Sequence, residues 1–185
     1  MLFGKLNKMK IPKKLGKPIL DWIENQDNLE KSLNEKPPQH GGYVIGARNL
    51  NVKDKKLSKL KFPYSSLKTL NEYILKGYGL DINTPHDEGD GIFISYSTKG
   101  HSVHIHQDKN PDNKHTHVRF NYLLSKPKGG DPIIEGKVIN VKKDETWVCI
   151  AGNLKHGTTK ITGNKPRIMI SFGHYINNKN LNKII

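Results

Sequence analysis

The sequence predicts a mainly β fold, a sandwich or jelly roll, with α-helices on its N-terminal side. Three observations carry this. After the acidic turn HDEGDG at 86–91, eight short runs of strand composition follow one another with turn residues between them and no helical pattern. Two amphipathic segments precede that region instead of alternating with it, which disfavours a parallel α/β arrangement. At 185 residues the chain can bury a real core but leaves little for a second domain. The expected organisation is one domain over 1–185, a helical support region at 1–90 and a β core at 91–176.

Taken in order, residues 1–16 are polar and basic and read as an irregular arm. KPILDWIENQDNLEKSLNEK, residues 17–36, sets Ile19, Leu20, Trp22, Ile23, Leu29 and Leu33 near one helical face, with Pro18 suited to a first turn and Pro37-Pro38 beyond the end. GGYVIGA at 41–47 reads as a strand, and Lys53–Lys61 as a lysine-rich connector. SSLKTLNEYILKGYG at 65–79 reads as a helix capped by Ser65 or Ser66, with Leu67, Leu70 and Ile74 on one face and Gly77 ending it. The strands are then expected at 92–97, 102–107, 117–124, 132–134, 137–141, 146–150, just after His156, and 167–175. The helices can cover the outside of one sheet, and the tail NNKNLNKII is expected to fray.

The net charge of +14 invites a nucleic-acid partner, because cationic side chains attract phosphate whatever its sequence. Only Arg48, Arg119 and Arg167 are arginines, however, and the lysines lie in nearly every segment beside abundant Asn and Ile. A solvated lysine surface accounts for that mixture better than a nucleic-acid site. Where arginine does occur, its planar, bidentate fork becomes a reason for its presence. No apolar run approaches the ~20 residues of a membrane span, and the basic opening lacks the apolar core of a signal peptide. The single cysteine, Cys149, excludes an intrachain disulfide and fits a reducing, cytoplasmic setting; in ETWVCIAG it reads as strand packing.

The chemistry is concentrated in GHSVHIHQD, residues 100–108. In an extended chain His104, His106 and Asp108 project to one side and Val103, Ile105 and Gln107 to the other. An imidazole and a carboxylate two residues apart can share a metal ion with a third ligand from elsewhere, for which His156 is the natural donor. Two histidines and one carboxylate on one face of an ion form the set associated with non-haem Fe(II) oxygenases.

These residues belong to a longer ordered pattern. Tyr96 and Gly100 precede His106-Gln107-Asp108; the turn KNPDN, the strand VRFNYLLS, Gly129-Gly130, His156 and Arg167 follow. Over about residues 91–175 the chain resembles the 2-oxoglutarate- and Fe(II)-dependent oxygenases, especially their prolyl-hydroxylase-like branch. The resemblance implies a double-stranded β-helix, a cupin-like jelly roll, with Fe(II) on His106, Asp108 and His156 and O2 and 2-oxoglutarate as cosubstrates. Arg167 would then pair with the distal carboxylate of 2-oxoglutarate. Asn121 matches a cosubstrate-touching position, Arg119 shares its face, and Ser171 shares the face of Arg167. The implied activity is hydroxylation of a C–H bond, of a prolyl or other residue in a peptide or protein or of a small molecule, with release of succinate and CO2.

Departures are visible too. Val103 stands where the branch often has a cosubstrate-binding tyrosine, and Met169 where some relatives have a polar residue. Asp108 is present, so the halogenating variants are not favoured. His104 reads as a neighbour at the entrance, His115 and His117 as exposed loop residues, and Trp147, Ile168, Ile170 and Phe172 as core or helix-packing residues. Residues 83–91, 109–116 and 41–50 are expected to bear on substrate choice. Two other classes compete: a cupin-like metalloprotein that does not use 2-oxoglutarate, and a non-catalytic basic binding module on the same scaffold.

Overall fold

The computed structural model describes residues 8–33, 42–48, 50, 53–88 and 91–184. In chain order the elements are β1 (Lys8–Lys10), α1 (Lys13–Glu24), α2 (Gln26–Leu33), β2 (Gly42–Arg48), α3 (Lys55–Lys59), α4 (Tyr64–Gly77), β3 (Ile92–Ser97), β4 (His115–Ser125), β5 (Pro132–Ile134), β6 (Lys137–Val138), β7 (Glu145–Cys149), β8 (His156–Thr158) and β9 (Arg167–Asn177), followed by a 3₁₀ turn, Asn178–Lys183. They form a mainly antiparallel double-stranded β-helix, a jelly roll with helices on one side.

The major sheet has six strands in the order β1-β7-β4-β9-β3-β2, and the minor sheet three, β6-β5-β8. Alternation along the central strands makes two layers of core. On β4, Val118, Phe120, Tyr122 and Leu124 face the helices, joined by Ile168, Ile170 and Phe172 of β9 and by Ile19, Ile23, Leu67, Leu70 and Ile74 of α1 and α4. On the other face Leu123, Trp147, Cys149 and Met169 pack with Ile134, Val141 and Ala151. The minor sheet closes over that face, so the intervening residues His117, Arg119 and Asn121 of β4 point inward.

Several local expectations are corrected. The 1–16 arm, where described, supplies β1, which pairs with β7, and then the first residues of α1. Pro18 therefore lies inside α1, not in its first turn. Its missing hydrogen bond is outweighed because Ile19, Trp22 and Ile23 bury against the sheet. The expected single helix breaks at Asn25 into α1 and α2, and residues 34–36 lie outside the described residues. The connector contains α3, capped by the Asp54 side chain accepting from the Leu57 N–H.

At α4 neither serine caps the start; Pro63 holds that place. The helix ends at Gly77 as expected, and the turn that closes it is made by Gly79, whose φ of 69° lets the Leu80 N–H reach the Leu75 carbonyl and its own N–H the Lys76 carbonyl. The expected strand at 102–107 is an extended segment with one β-bridge, His106 to His156. β6 stops at Val138, three residues before the expected end. The tail carries the 3₁₀ turn, and Ile184 is buried. Both edge strands of the major sheet come from the N-terminal region: β2 falls on the strand expected at 41–47, whereas β1 comes from the arm expected to be irregular. No helix among the described residues is long and apolar enough to cross a membrane.

Candidate functional site

The β-bridge between His106 and His156 is the organising contact. The two backbones exchange hydrogen bonds, His106 N–H to the His156 carbonyl at 2.9 Å and the reverse at 2.7 Å. The rings consequently meet with centroids 4.3 Å apart. Asp108, two residues along, brings Oδ1 to 3.4 Å from His106 Nε2 and 3.9 Å from His156 Nε2. One ligand atom from each of the three residues lies within 4.8 Å of the others.

Each imidazole is oriented by the same device. His106 Nδ1 lies 2.8 Å from the His104 carbonyl oxygen and His156 Nδ1 lies 3.0 Å from that of Leu154. A carbonyl can only accept, so Nδ1 carries a proton, and in the neutral ring the Nε2 lone pair is left toward Asp108. Burial pushes the His156 imidazole below its usual pKa, which favours the neutral, ligating form. Burial opposes the charge on Asp108, but the hydrogen bond from His117 and then the Arg119 charge outweigh it and hold the carboxyl at about 2.

The three groups open into a cavity of about 550 Å³ between the two sheets. Its far wall holds Arg167, only 3% exposed. Among the described residues the guanidinium has no ion pair and one hydrogen-bond partner, the Met169 sulfur 3.3 Å from Nη2. The indole of Trp147 lies beneath it, 5.7 Å from ring centroid to guanidinium carbon. Burial lowers the Arg167 pKa to about 10, with the more distant Asp131 opposing, so the group is charged at neutral pH. A buried cation facing a cavity without a counter-ion is a ready site for an anion. Gly130 gives the side chain its course: at φ 71° it takes a conformation side chains resist, and a Cβ there would stand 2.9 Å from Arg167 Cδ.

Ser171 and Asn121 lie side by side in the β4–β9 register and both line this cavity. Among the described residues Ser171 Oγ is fully buried with no hydrogen-bond partner, and the Asn121 amide makes one long contact, 3.4 Å to the Arg119 carbonyl oxygen. Arg119 lines the cavity but turns its head back, Nε 3.4 Å from Asp108 Oδ2 and Nη2 3.3 Å from Asp87 Oδ2. All seven residues singled out in the sequence, His106, Asp108, Asn121, Arg119, His156, Arg167 and Ser171, thus line one cavity.

Other readings are corrected. His117 is not exposed: it is 4% accessible and stands between two carboxylates, Nδ1 3.1 Å from Asp108 and Nε2 3.2 Å from Asp87. The signal was available, since His117, Arg119 and Asn121 alternate on one face of a strand. His115 begins β4, half-buried, with Nδ1 2.9 Å from Asp112. Trp147 is both core and cavity floor, whereas Ile168, Ile170 and Phe172 pack toward the helices. His104 lines the cavity outside the three-residue group. Cys149 is buried on the cavity wall, and burial first, with the Asp108 charge, pushes its thiol up to about 12, so it is inert packing. Asp87, from the 83–91 turn, was missed, and no periodicity marks it.

No protein-family model matches the sequence, and no curated protein matches it. Solved structures do. A prolyl-4-hydroxylase from Pseudomonas putida aligns over 95% of this chain and 94% of its own, at 14% identity and a TM-score of 0.53. The fold is that of the 2-oxoglutarate- and Fe(II)-dependent oxygenases. HygX from Streptomyces hygroscopicus, solved with nickel and 2-oxoglutarate bound, covers 96% of this chain and 85% of its own at 13% identity and a TM-score of 0.53. AviO1 from Streptomyces viridochromogenes covers 94% and 90% at 11% identity and a TM-score of 0.54. Because these alignments span the helices as well as the sheets, the likeness in this oxygenase fold extends beyond the β core.

Proposed function

We propose that the protein is a 2-oxoglutarate- and Fe(II)-dependent dioxygenase that hydroxylates a C–H bond. The observation that carries this is the pairing, in one cavity, of the His106–Asp108–His156 group with the buried guanidinium of Arg167, which has no counter-ion among the described residues. His106, Asp108 and His156 are the residues that would hold Fe(II), two neutral imidazoles and one carboxylate being a suitable donor set for that ion. Arg167 would pair with the distal carboxylate of 2-oxoglutarate, and the idle hydroxyl of Ser171 and the amide of Asn121 would supply hydrogen bonds beside it. Arg119 acts through Asp108, not on the cosubstrate, because its fork is already committed. When bound, the iron and 2-oxoglutarate activate O2, and the reaction yields succinate, CO2 and a hydroxylated substrate.

The chain's own share is to orient these groups and keep water away from them. The cavity's size, within the ordinary range for ligand sites, leaves room beside a five-carbon diacid for a substrate side chain or small molecule. A prolyl or other peptide residue is the substrate class we favour, entering past Tyr43 and Val44 of β2 and His104. Arg167 also separates this reading from a cupin-like metalloprotein without 2-oxoglutarate, in which that buried charge would answer to nothing.

The test is anaerobic titration of the apoprotein with Fe(II) and 2-oxoglutarate, following the visible charge-transfer band of an iron-chelated keto acid. The band should appear in the wild type, vanish in His156→Ala and weaken in Arg167→Ala. Bound iron without the band would favour the cupin-like reading. Absence of iron binding would favour a non-catalytic basic module, with nucleic acid as its partner.

A further inference from the structure

The two carboxylate oxygens of Asp108 have different neighbours. Oδ1 faces the ring nitrogens of His106 and His156, whereas Oδ2 is turned away, 3.1 Å from His117 Nδ1 and 3.4 Å from Arg119 Nε. Behind both of those side chains stands the same group, Asp87. Asp87 Oδ2 accepts from Arg119 Nη2 at 3.3 Å and lies 3.2 Å from His117 Nε2, which makes no hydrogen bond among the described residues, while Asp87 Oδ1 accepts the Tyr175 hydroxyl at 2.9 Å. Asp87, His117 and Arg119 are all under a tenth exposed.

The segment that carries Asp87 is itself clamped to the end of β9. Asp87 N–H donates to the Gly173 carbonyl at 3.0 Å, Tyr175 N–H to that of Pro85 at 3.0 Å, and Gly173 N–H to that of Gly91 at 2.9 Å. We propose that Asp87 is the positioning residue of the metal centre: through Arg119, which it holds against Asp108 with His117 packed alongside, it fixes the rotation of the Asp108 carboxylate, so that Oδ1 alone is presented with the two imidazoles. This rests on the reading of His106, Asp108 and His156 as metal ligands.

The physical reason is economy of charge and geometry. A buried carboxylate is costly unless its oxygens are engaged, and Asp87 accepts from a tyrosine on Oδ1 and, on Oδ2, from the arginine that reaches Asp108. Its charge also offsets that of Arg119, so the guanidinium does not cancel the negative charge that Asp108 offers a metal. A metal ligand with a free rotor would present either oxygen, or both, and would lose definition in direction.

The experiment is titration of the full-length chain with Co(II), whose visible absorption reports ligand geometry independently of any turnover, in wild type, Asp87→Asn and Tyr175→Phe. Asp87→Asn keeps the shape of the side chain and removes its charge. It should weaken Co(II) binding about 10- to 100-fold and shift the visible band, as loss of a group orienting a ligand does. Tyr175→Phe should produce a smaller shift of the same kind. A folded Asp87→Asn protein with wild-type affinity and spectrum overturns the proposal, as does one that only melts earlier with the spectrum unmoved. If Asp87→Asn fails to fold, Tyr175→Phe decides by the same two criteria. A wild type that binds no Co(II) instead overturns the metal-centre reading itself, a separate outcome.

Discussion

The guanidinium of Arg167 rests over the indole of Trp147 at 5.7 Å, a cation held by an aromatic face where a carboxylate would ordinarily be found. Contact with the ring quadrupole compensates only part of the cost of burying that charge. The remainder is available to an incoming anion.

Arg167→Met is therefore expected to lower affinity for 2-oxoglutarate about 100-fold, on the order of 3 kcal/mol, while leaving the free protein as stable as wild type or more so. Thermal unfolding with and without 2-oxoglutarate checks both halves. The ligand should raise the wild-type midpoint and leave that of the variant unmoved. A variant that is destabilised and still binds 2-oxoglutarate would count against the anion site.

Loss of a ligand should be more severe than loss of its neighbours. His106→Ala or His156→Ala is expected to weaken Fe(II) or Co(II) binding by more than the ~100-fold that removing an orienting group costs, with little change in the metal-free fold. Equilibrium dialysis measures it directly. In wild type, chelation should remove the metal and its stabilisation together, and re-addition should restore both.

Stability should decline as the medium is acidified, beginning well above the carboxylate range. His174 is fully buried, and burial, reinforced by the nearby His86, lowers its pKa to about 3. Since the unfolded side chain titrates near 6.5, the unfolded state takes up the proton first. The His174 contribution is thus complete above about pH 6.5 and is lost as pH falls toward 3, at up to about 1.4 kcal/mol per pH unit. His86 and His156, also lowered by burial, act in the same direction, and Asp108 adds a further loss between about pH 4 and 2. Urea midpoints at pH 7.5, 6 and 5 should fall in wild type and fall less steeply in His174→Gln.

Gly130→Ala tests how the anion site is built. A methyl there meets Arg167 Cδ and Ile161 Cγ1, both at 2.9 Å, in a backbone conformation with φ of 71°. We expect a loss of about 1–3 kcal/mol in chemical denaturation together with weaker 2-oxoglutarate binding, because the arginine must move. Equal binding with reduced stability would separate the glycine from the site.

Much of the site could be read from the chain because strand chemistry is local. The two-residue spacing of His106 and Asp108 puts both on one face wherever the segment is extended, and a lone arginine opening an apolar strand needs an anion wherever that strand goes. The same alternation places His117 inside, against the polar loop that the preceding residues suggest. Asp87 offered no such pattern: it lies in a turn, and the side chains it meets are 30 to 88 residues away in the sequence. Element boundaries failed where tertiary burial overrode local rules, as with Pro18 inside α1.

By itself, then, the sequence determined the strand-rich core, the face on which each candidate ligand sits and the conspicuous arginine, because these follow from period-two geometry and residue chemistry. Only the tertiary structure decided that β1 and β2 close the major sheet, that the expected strand at 102–107 reduces to one bridge joining His106 to His156, and that Asp87 stands behind Asp108. Those are contacts between distant segments. Their geometry is fixed by how two sheets pack, not by any run of neighbouring residues.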